Sequence, residues 1–163
     1  MSDAGPISGR NFTVKVTERG PRGGLRDEWE LTCSQVALPV MPVVKQRHPL
    51  FDFGHGRPDD PSDDDRTDDD AAGTDDLLVL RRGHTGSTEL FDWWELERSF
   101  LFRGWHDIEV VALDDDGHGV TTWGFTKCHL VALRHSALDA LESHVLTETA
   151  EISWGTVAQI AHR

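Results

Sequence analysis

Between residues 76 and 157 the sequence pattern predicts a series of secondary-structure elements, and the order of these elements limits the fold more than any other feature of the chain. Residues 76–82 alternate like a strand, with Leu78 and Leu80 on one face. Residues 88–99 have helical spacing, and Asp114-Asp-Asp-Gly-His-Gly119 lies between two apolar runs, which is typical of a hairpin turn. The order strand, helix, hairpin and closing strand predicts a mainly β (α+β) domain with one helix.

The rest of the chain adds strand signals to this block. Residues 11–17 and 28–34 flank a cluster of glycine and proline and are expected to form a first hairpin. Residues 36–44 contain two prolines, which favours an extended segment at a sheet edge. Residues 127–134 continue the second hairpin strand, and residues 143–156 are predicted to form one long strand. At 163 residues, a single domain over residues 1–163 is expected.

The predicted helix begins after a capping signal. Ser87 is a favourable N-cap, and Glu89 lies in the first turn, where the helix dipole favours an acid. We expect Phe91 and Trp94 to anchor the helix in the core. Adjacent helical residues point about 100° apart, so Trp93 is expected to lie at a sheet edge or a subunit interface, where tryptophan is enriched.

The negative charge is concentrated in one segment. Residues 57–76 contain ten aspartates and two arginines, so this stretch carries −8 of the total net charge of −13. We expect a flexible acidic loop at about residues 54–76, because like charges oppose ordering and little there can be buried. The chain has no basic stripe for phosphate contacts, no run of about 18 apolar residues for a membrane span, and no apolar segment of a signal peptide at residues 1–10.

Chemical motifs do not favour an enzyme, a metal site or a cofactor site. An EF-hand loop starting at Asp63 would need glycine at its sixth position, where Asp68 stands, and a carboxylate at its twelfth, where Thr74 stands. The nine histidines include no H-x-x-x-H pair, and no Gly-x-Ser-x-Gly or phosphate-binding glycine loop is present. His106 and Asp107 are interpreted as surface residues. Cys33 and Cys128 are expected to be reduced, buried and inert.

The block resembles the tail-tube proteins of contractile phages and of phage-derived contractile injection systems. In that family a strand L-x-L-x-R-G-x-T precedes a helix with a tryptophan, followed by an Asp/Gly turn, V-x-x-W and an alternating closing strand. The matching residues here are Leu78, Leu80, Arg82, Gly83, Thr85, Trp93 or Trp94, Asp114 to Gly119, Val120, Trp123, and Val145 to Trp154.

The resemblance implies a fold, a function and a set of partners. The fold would be a small β-barrel or β-sandwich with a flanking helix. Six copies would close into a ring, and the rings would stack into a hollow inner tube that carries DNA or protein cargo. The tube would lie inside a contractile sheath, meet a spike and baseplate hub, and assemble in the bacterial cytoplasm without inserting into a membrane by itself.

Six residues are the predicted candidates for the subunit interface: five lie on strands that a neighbouring copy would cover, and the sixth is the tryptophan of the helix. They are Leu78, Leu80, Arg82, Trp93, Leu146 and Ile152.

Two departures from the family pattern leave other functions open. The acidic run replaces a Gly- and Pro-containing loop, and the segment from Trp123 to Leu130 lacks the family's proline. A tube-initiating or baseplate adaptor ring is therefore an alternative. A stand-alone acidic module that binds a basic partner through residues 57–76 is a third hypothesis.

Overall fold

A computed structural model describes residues 11–41, 76–141 and 144–162. Eight strands and one helix follow one another in the order β1 (Phe12–Arg19), β2 (Leu25–Leu31), β3 (Gln35–Ala37), β4 (Leu78–Gly83), α1 (Glu89–Arg98), β5 (Trp105–Leu113), β6 (Gly119–His135), β7 (Thr147–Ser153) and β8 (Thr156–Ala161). The prediction of a mainly β fold with one helix is confirmed. The acidic loop predicted at residues 54–76 lies, except for Asp76, outside the described residues, as do residues 42–44 of the predicted edge segment.

The strands form two antiparallel sheets that share the long strand β6. The first half of β6 belongs to sheet A, whose strand order is β2-β1-β5-β6-β8, and the second half belongs to sheet B, with the order β6-β7-β4-β3. Neither sheet closes on itself, so each has two edges. In sheet A the edge strands are β2 and β8.

The core lies between the two sheets and α1. Apolar residues at every second position of β1, β4, β5 and β7 point inward, as the period of a strand requires. The buried core residues are Val14, Val16, Leu31, Leu78, Leu80, Leu90, Trp93, Ile108, Val110, Phe125, Cys128, Leu130, Ala150 and Ile152. Among the described residues, no helix is long and apolar enough to cross a membrane.

The predicted hairpin is present, and local chemistry explains its turn. The Asp114 Oδ1 atom accepts hydrogen bonds from the main-chain N–H groups of Asp116 and His118, at 3.0 and 2.7 Å. Gly117 has φ +83°, a conformation that glycine adopts without steric cost. Gly104, just before β5, is required for another reason: a Cβ there would lie 1.9 Å from the carbonyl oxygen of Arg19.

The predicted single strand at residues 143–156 is wrong. β7 ends at Ser153, the chain turns at Trp154 and Gly155, and β8 pairs with β6 in the other sheet. The Gly155 N–H donates to the Thr126 carbonyl at 2.9 Å. Beside this turn, Lys127 has φ +53°, the only positive φ of a non-glycine residue in the described ranges. The turn therefore coincides with the point where β6 passes from sheet A to sheet B.

The helix is confirmed within one residue at each end, but its orientation was predicted wrongly. Leu90 and Trp93 are buried, whereas Phe91 is 44% exposed and Trp94 is half-buried. The Phe91 and Trp94 rings contact each other at the surface, and the Arg98 guanidinium lies 4.4 Å from the centre of the Trp94 ring. The spacing Leu90–Trp93 defines the inward face, so Trp93 anchors the helix.

The N-cap prediction also needs correction. Thr88 occupies the N-cap position, and no side chain caps the helix by a hydrogen bond to the backbone. The Ser87 hydroxyl donates instead to the Glu89 carboxylate at 2.8 Å.

Candidate assembly surfaces

Sheet A has two chemically different faces. Its inner face packs on the core through rows such as Trp29–Val16–Ile108–Phe125–Val157. The register places polar and small residues in rows on the opposite face; one such row is Glu30–Lys15–Glu109–Gly124–Ala158. We call this opposite face the polar face of sheet A.

Two ion pairs lie on the polar face. Lys15 pairs with Glu28 at 3.5 Å, and Arg19 pairs with Asp107 at 3.0 Å. The half of this face nearest β8 carries Gly124, Ala158 and the exposed Ile160. Glu30 and Glu109 flank Lys15 and form no ion pair with a described cation, so the polar face keeps an excess of negative charge.

The two edge strands of sheet A are the most exposed strands of the fold. Every residue of β2 except Trp29 and Leu31 is exposed, and every residue of β8 except Val157 is exposed. Each strand hydrogen-bonds to a neighbour on one side only, so its outer side presents unpaired main-chain groups. Such edges are sites for pairing with another chain.

Two groups of exposed apolar side chains lie in connections. Phe100 and Leu101, between α1 and β5, are 96% and 89% exposed. Leu138 and Leu141, between β6 and β7, are 86% and 95% exposed, and Val145 lies nearby in sequence. Clusters of this kind mark surfaces for protein contacts.

Most of the predicted interface residues lie inside the subunit. Leu78, Leu80, Trp93 and Ile152 belong to the core and are at most 2% exposed. These four side chains pack within the subunit, and their place at a subunit interface stays a prediction. Leu146 is half-buried, and its place at an interface stays a prediction.

Arg82, the sixth of these residues, organises a buried ion-pair network. Its Nε atom donates to Glu148 at 2.8 Å and its Nη1 atom donates to Glu89 at 2.9 Å. Glu148, 2% exposed, also contacts ring nitrogens of His84 and His135 at 2.9 and 3.3 Å. Burial would raise the pKa of Glu148, but the hydrogen bonds from Arg82 and His84 outweigh it and lower the pKa below 4.5. The network joins β4, α1, β6 and β7.

His106 is a buried residue, contrary to the sequence-based interpretation. It is 0% exposed, and its ring lies 4.4 Å from the Trp93 ring centre and 5.6 Å from that of Trp29. Neither ring nitrogen has a hydrogen-bond partner among the described residues. Burial lowers the pKa of His106 to about 4, so the ring is neutral at physiological pH.

Two further groups of described residues carry side chains that could do chemistry: the cysteines and the cluster at the hairpin turn. Cys33 and Cys128 are free; Cys128 is buried as predicted, whereas Cys33 is only half-buried. Burial raises the pKa of the Cys33 thiol to about 11 and that of the Cys128 thiol to about 12, so both are protonated at physiological pH. Asp114, Asp116 and His118 approach one another at the hairpin turn. Their contacts with one another and with the backbone explain this geometry, since Asp114 accepts the turn's N–H groups.

The described residues form an open two-sheet β protein whose sheet A has a polar face and two unpaired edges, and such edges are surfaces through which subunits assemble. The model of the family described as T4-like virus tail tube protein gp19 matches residues 72–157. This match spans more than half of the chain, and the chain belongs to that family. No curated protein is similar enough in sequence to be a match.

Solved structures show the same fold over nearly the full length. A chain of the anti-feeding prophage baseplate, 6-fold symmetrised, is 16% identical, with a TM-score of 0.64 and coverage of 97% of both chains. A chain of the sheath-tube complex of the PVC extracellular contractile injection system is 19% identical, with a TM-score of 0.62 and coverage of 98% and 95%. A chain of the PVC sheath/tube terminator has 18% identity, a TM-score of 0.63 and coverage of 98% and 100%. The predicted tail-tube family and fold are confirmed.

Proposed function

We propose that this protein is the subunit of a hollow inner tube, in which six copies form a ring through the edges of sheet A and the rings stack. The observation that supports this most is the combination, in a tail-tube family member, of a polar sheet face with two unpaired edge strands. Sheet A cannot close on itself, so its edges are satisfied by joining copies around a ring. We assign the protein a structural role and no catalytic one.

Strand directions specify what kind of junction this would be. Each strand of sheet A is antiparallel to the next, and the sheet has five strands, so β2 and β8 run in the same direction. Copies related by rotation about the ring axis would therefore join β8 of one copy to β2 of the next as parallel strands. The core face is covered by sheet B and α1, so the polar face is the one that faces the lumen.

The proposal includes partners beyond the ring. The similar solved chains come from a sheath-tube complex, a baseplate and a terminator, and the baseplate is 6-fold symmetrised. We propose a corresponding place for this protein: a tube of six-membered rings inside a contractile sheath, joined to a baseplate hub, with DNA or protein cargo in its lumen. The exposed Phe100–Leu101 and Leu138–Leu141 groups provide contacts outside sheet A. Assembly would take place in the bacterial cytoplasm.

Cross-linking tests the junction directly. Glu30 on β2 and Ala158 on β8 lie in the same row of the polar face, at opposite edges of sheet A. In the double variant Glu30→Cys/Ala158→Cys, a flexible bismaleimide should produce a ladder of covalent oligomers ending at six copies. Cys128 is buried and Cys33 is half-buried, so wild-type protein treated in parallel shows any contribution of the native thiols.

The matched control replaces one edge position with a central one. Thr13 lies on the same face but on β1, inside the sheet. The variant Thr13→Cys/Glu30→Cys should give no ladder, because two copies cannot bring β1 of one to β2 of another. A double edge variant that stays monomeric after cross-linking would refute ring closure through these edges.

A further inference from the structure

A cleft of about 480 Å³ opens between α1 and the inner face of sheet A, beside the edge strand β2. Its floor consists of Trp29, Trp93, Leu96 and His106. Besides the two unpartnered nitrogens of His106, the indole N–H of Trp29 is buried and has no hydrogen-bond partner in the described part of the chain. Buried polar atoms are normally paired, and one nitrogen of the neutral His106 ring is an acceptor, so the cleft contains a buried acceptor that a donor from outside the subunit would satisfy.

The rim of this cleft is acidic. Glu18, Asp27, Glu89 and Asp92 line it. Glu89 is neutralised by Arg82 at 2.9 Å, and Glu18 lies 3.7 Å from Arg26.

Asp27 and Asp92 have no cationic partner among the described residues. They accept only from the main-chain N–H of Glu28 and from the hydroxyl of Thr88, respectively. The rim thus carries two carboxylates without a counter-charge above a floor of indole rings. A cleft of this kind favours a basic side chain, whose methylene stem packs on the indoles while its charged end meets the carboxylates.

The position of the cleft indicates where such a side chain would come from. Asp27 lies near the beginning of β2, on the outer edge of sheet A. In the parallel junction described above, the beginning of β8 from the next copy would lie at the same level. Lys127 is next to that point, because its Cβ lies 3.1 Å from the position of a Cβ built on Gly155.

Lys127 is available for such a contact. Its side chain is exposed and forms no ion pair with any described carboxylate. Its main-chain N–H donates to the Asp107 carboxylate at 3.3 Å, and its φ of +53° is unusual for a lysine. The exposed ammonium group of Lys127 therefore has no described carboxylate to pair with inside its own subunit, which leaves it free for a contact outside the subunit.

We propose that this cleft is the receiving site for a basic side chain of the neighbouring copy in the ring, and that Lys127 supplies it. The ammonium group lies against Asp27 and Asp92, and the stem packs on Trp29 and Leu96. The contact supplements the main-chain pairing of β8 with β2 and selects one register of that pairing. This inference rests on the proposed ring.

Charge reversal tests the contact. In Asp27→Lys, the new positive charge on the rim repels Lys127 of the next copy. In Lys127→Asp, the new negative charge is repelled by the carboxylates of the rim. Aspartate tolerates the left-handed region better than most residues, so the second change preserves the backbone. Each single variant should raise the protein concentration needed for half-assembly at least about tenfold, since close interfacial charge pairs couple strongly. The double variant Asp27→Lys/Lys127→Asp should recover most of this loss.

Glu30→Lys is the matched control, because Glu30 is an exposed acid on the same strand but on the polar face. Combining Glu30→Lys with Lys127→Asp should not recover assembly. Circular dichroism and thermal melting of each variant establish that it is folded. Sedimentation velocity at several protein concentrations measures the assembly.

The outcomes of these experiments distinguish a failure of the proposed contact from a failure of the proposed ring. If wild type forms rings and the single reversals assemble equally well, or if the double variant only sums the two losses, the contact is refuted while the ring stands. If wild type never assembles, the ring and this contact are both refuted.

Discussion

Replacing His106 should remove a specific part of the pH dependence of folding. The ring is buried among aromatic side chains, has no hydrogen-bond partner among the described residues, and has a pKa lowered from 6.5 to about 4. The unfolded chain therefore binds more protons than the folded chain between pH about 6.5 and about 4. Stability falls as the pH falls through this window, and the loss is complete below the folded pKa.

The size of the effect follows from the two pKa values. Between pH 7.5 and pH 5.0, linkage gives a loss of about 2 kcal/mol of unfolding free energy from this one group. His106→Phe keeps an aromatic ring in the same place but cannot titrate. The stability difference between variant and wild type should therefore shift by about 2 kcal/mol in favour of the variant at pH 5.0.

Urea denaturation at the two pH values, below the concentration at which rings form, measures this shift. The absolute difference at pH 7.5 reports how well the new ring packs, whereas its change with pH reports the imidazole alone. Other titrating groups are common to both proteins and cancel. A stability difference that is the same at both pH values would mean that His106 is not a buried neutral imidazole. His106→Leu cannot titrate either, so its stability should also fall less between pH 7.5 and pH 5.0 than that of wild type.

Three further predictions concern the subunit. Trp93→Ala should cost about 3–5 kcal/mol of unfolding free energy because Trp93 is buried, whereas the exposed Phe91→Ala should cost less than about 1, and equal values in urea denaturation would contradict the helix orientation. Lys127→Gly should raise subunit stability by about 0.5–1 kcal/mol by relieving a left-handed backbone, and Lys127→Ala, which keeps the strain, should give no such gain in thermal melting. Arg82→Met should cost about 3–5 kcal/mol at pH 7 by leaving Glu148 buried without its cation. Because the pKa of Glu148 is lowered in the folded protein, this cost should shrink as the pH falls below about 4.5, and a cost that does not change with pH would argue against the ion pair.

Local patterns in the sequence account for most of the elements. The alternation in β1 and β5 and the Asp/Gly turn after Leu113 require only neighbours in sequence, so they could be read directly. The break at Gly155 could not, because the alternation continues across it. The chain changes sheets there through a hydrogen bond to Thr126 and a left-handed Lys127 on another strand.

Two predictions of side-chain direction were wrong, and the sequence contained a pattern that argued against the first of them. Ile108, Val110 and Ala112 point inward, and extending the same period by one step places His106 inward as well. The inward face of the helix was harder to predict, because the pair Leu90 and Trp93 has the same spacing as the pair Phe91 and Trp94. Only the contact with sheet A selects the first pair. The preference of histidine for the surface led to one wrong prediction, and equal apolar spacing led to the other.

The assembly surfaces depend on contacts between distant parts of the chain. The cleft combines residues from β1, β2, α1 and β5, and no local sequence pattern shows that these four elements lie close together. Similarly, five of the six predicted interface residues are apolar, and folding buries four of these five within the subunit and leaves polar strands at the edges. Apolar patterning therefore identified the core, and the open edges became visible only with the sheet order.

Electron cryomicroscopy of the purified, concentrated protein tests the central proposal most directly. The proposal predicts stacked six-membered rings in which β8 of each copy lies beside β2 of the next and the row containing Lys15 and Glu109 faces a hollow lumen. Single unstacked rings with the same junction would instead support the tube-initiating role. A monomer at every concentration, or a ring whose lumen is lined by another face, would contradict the account.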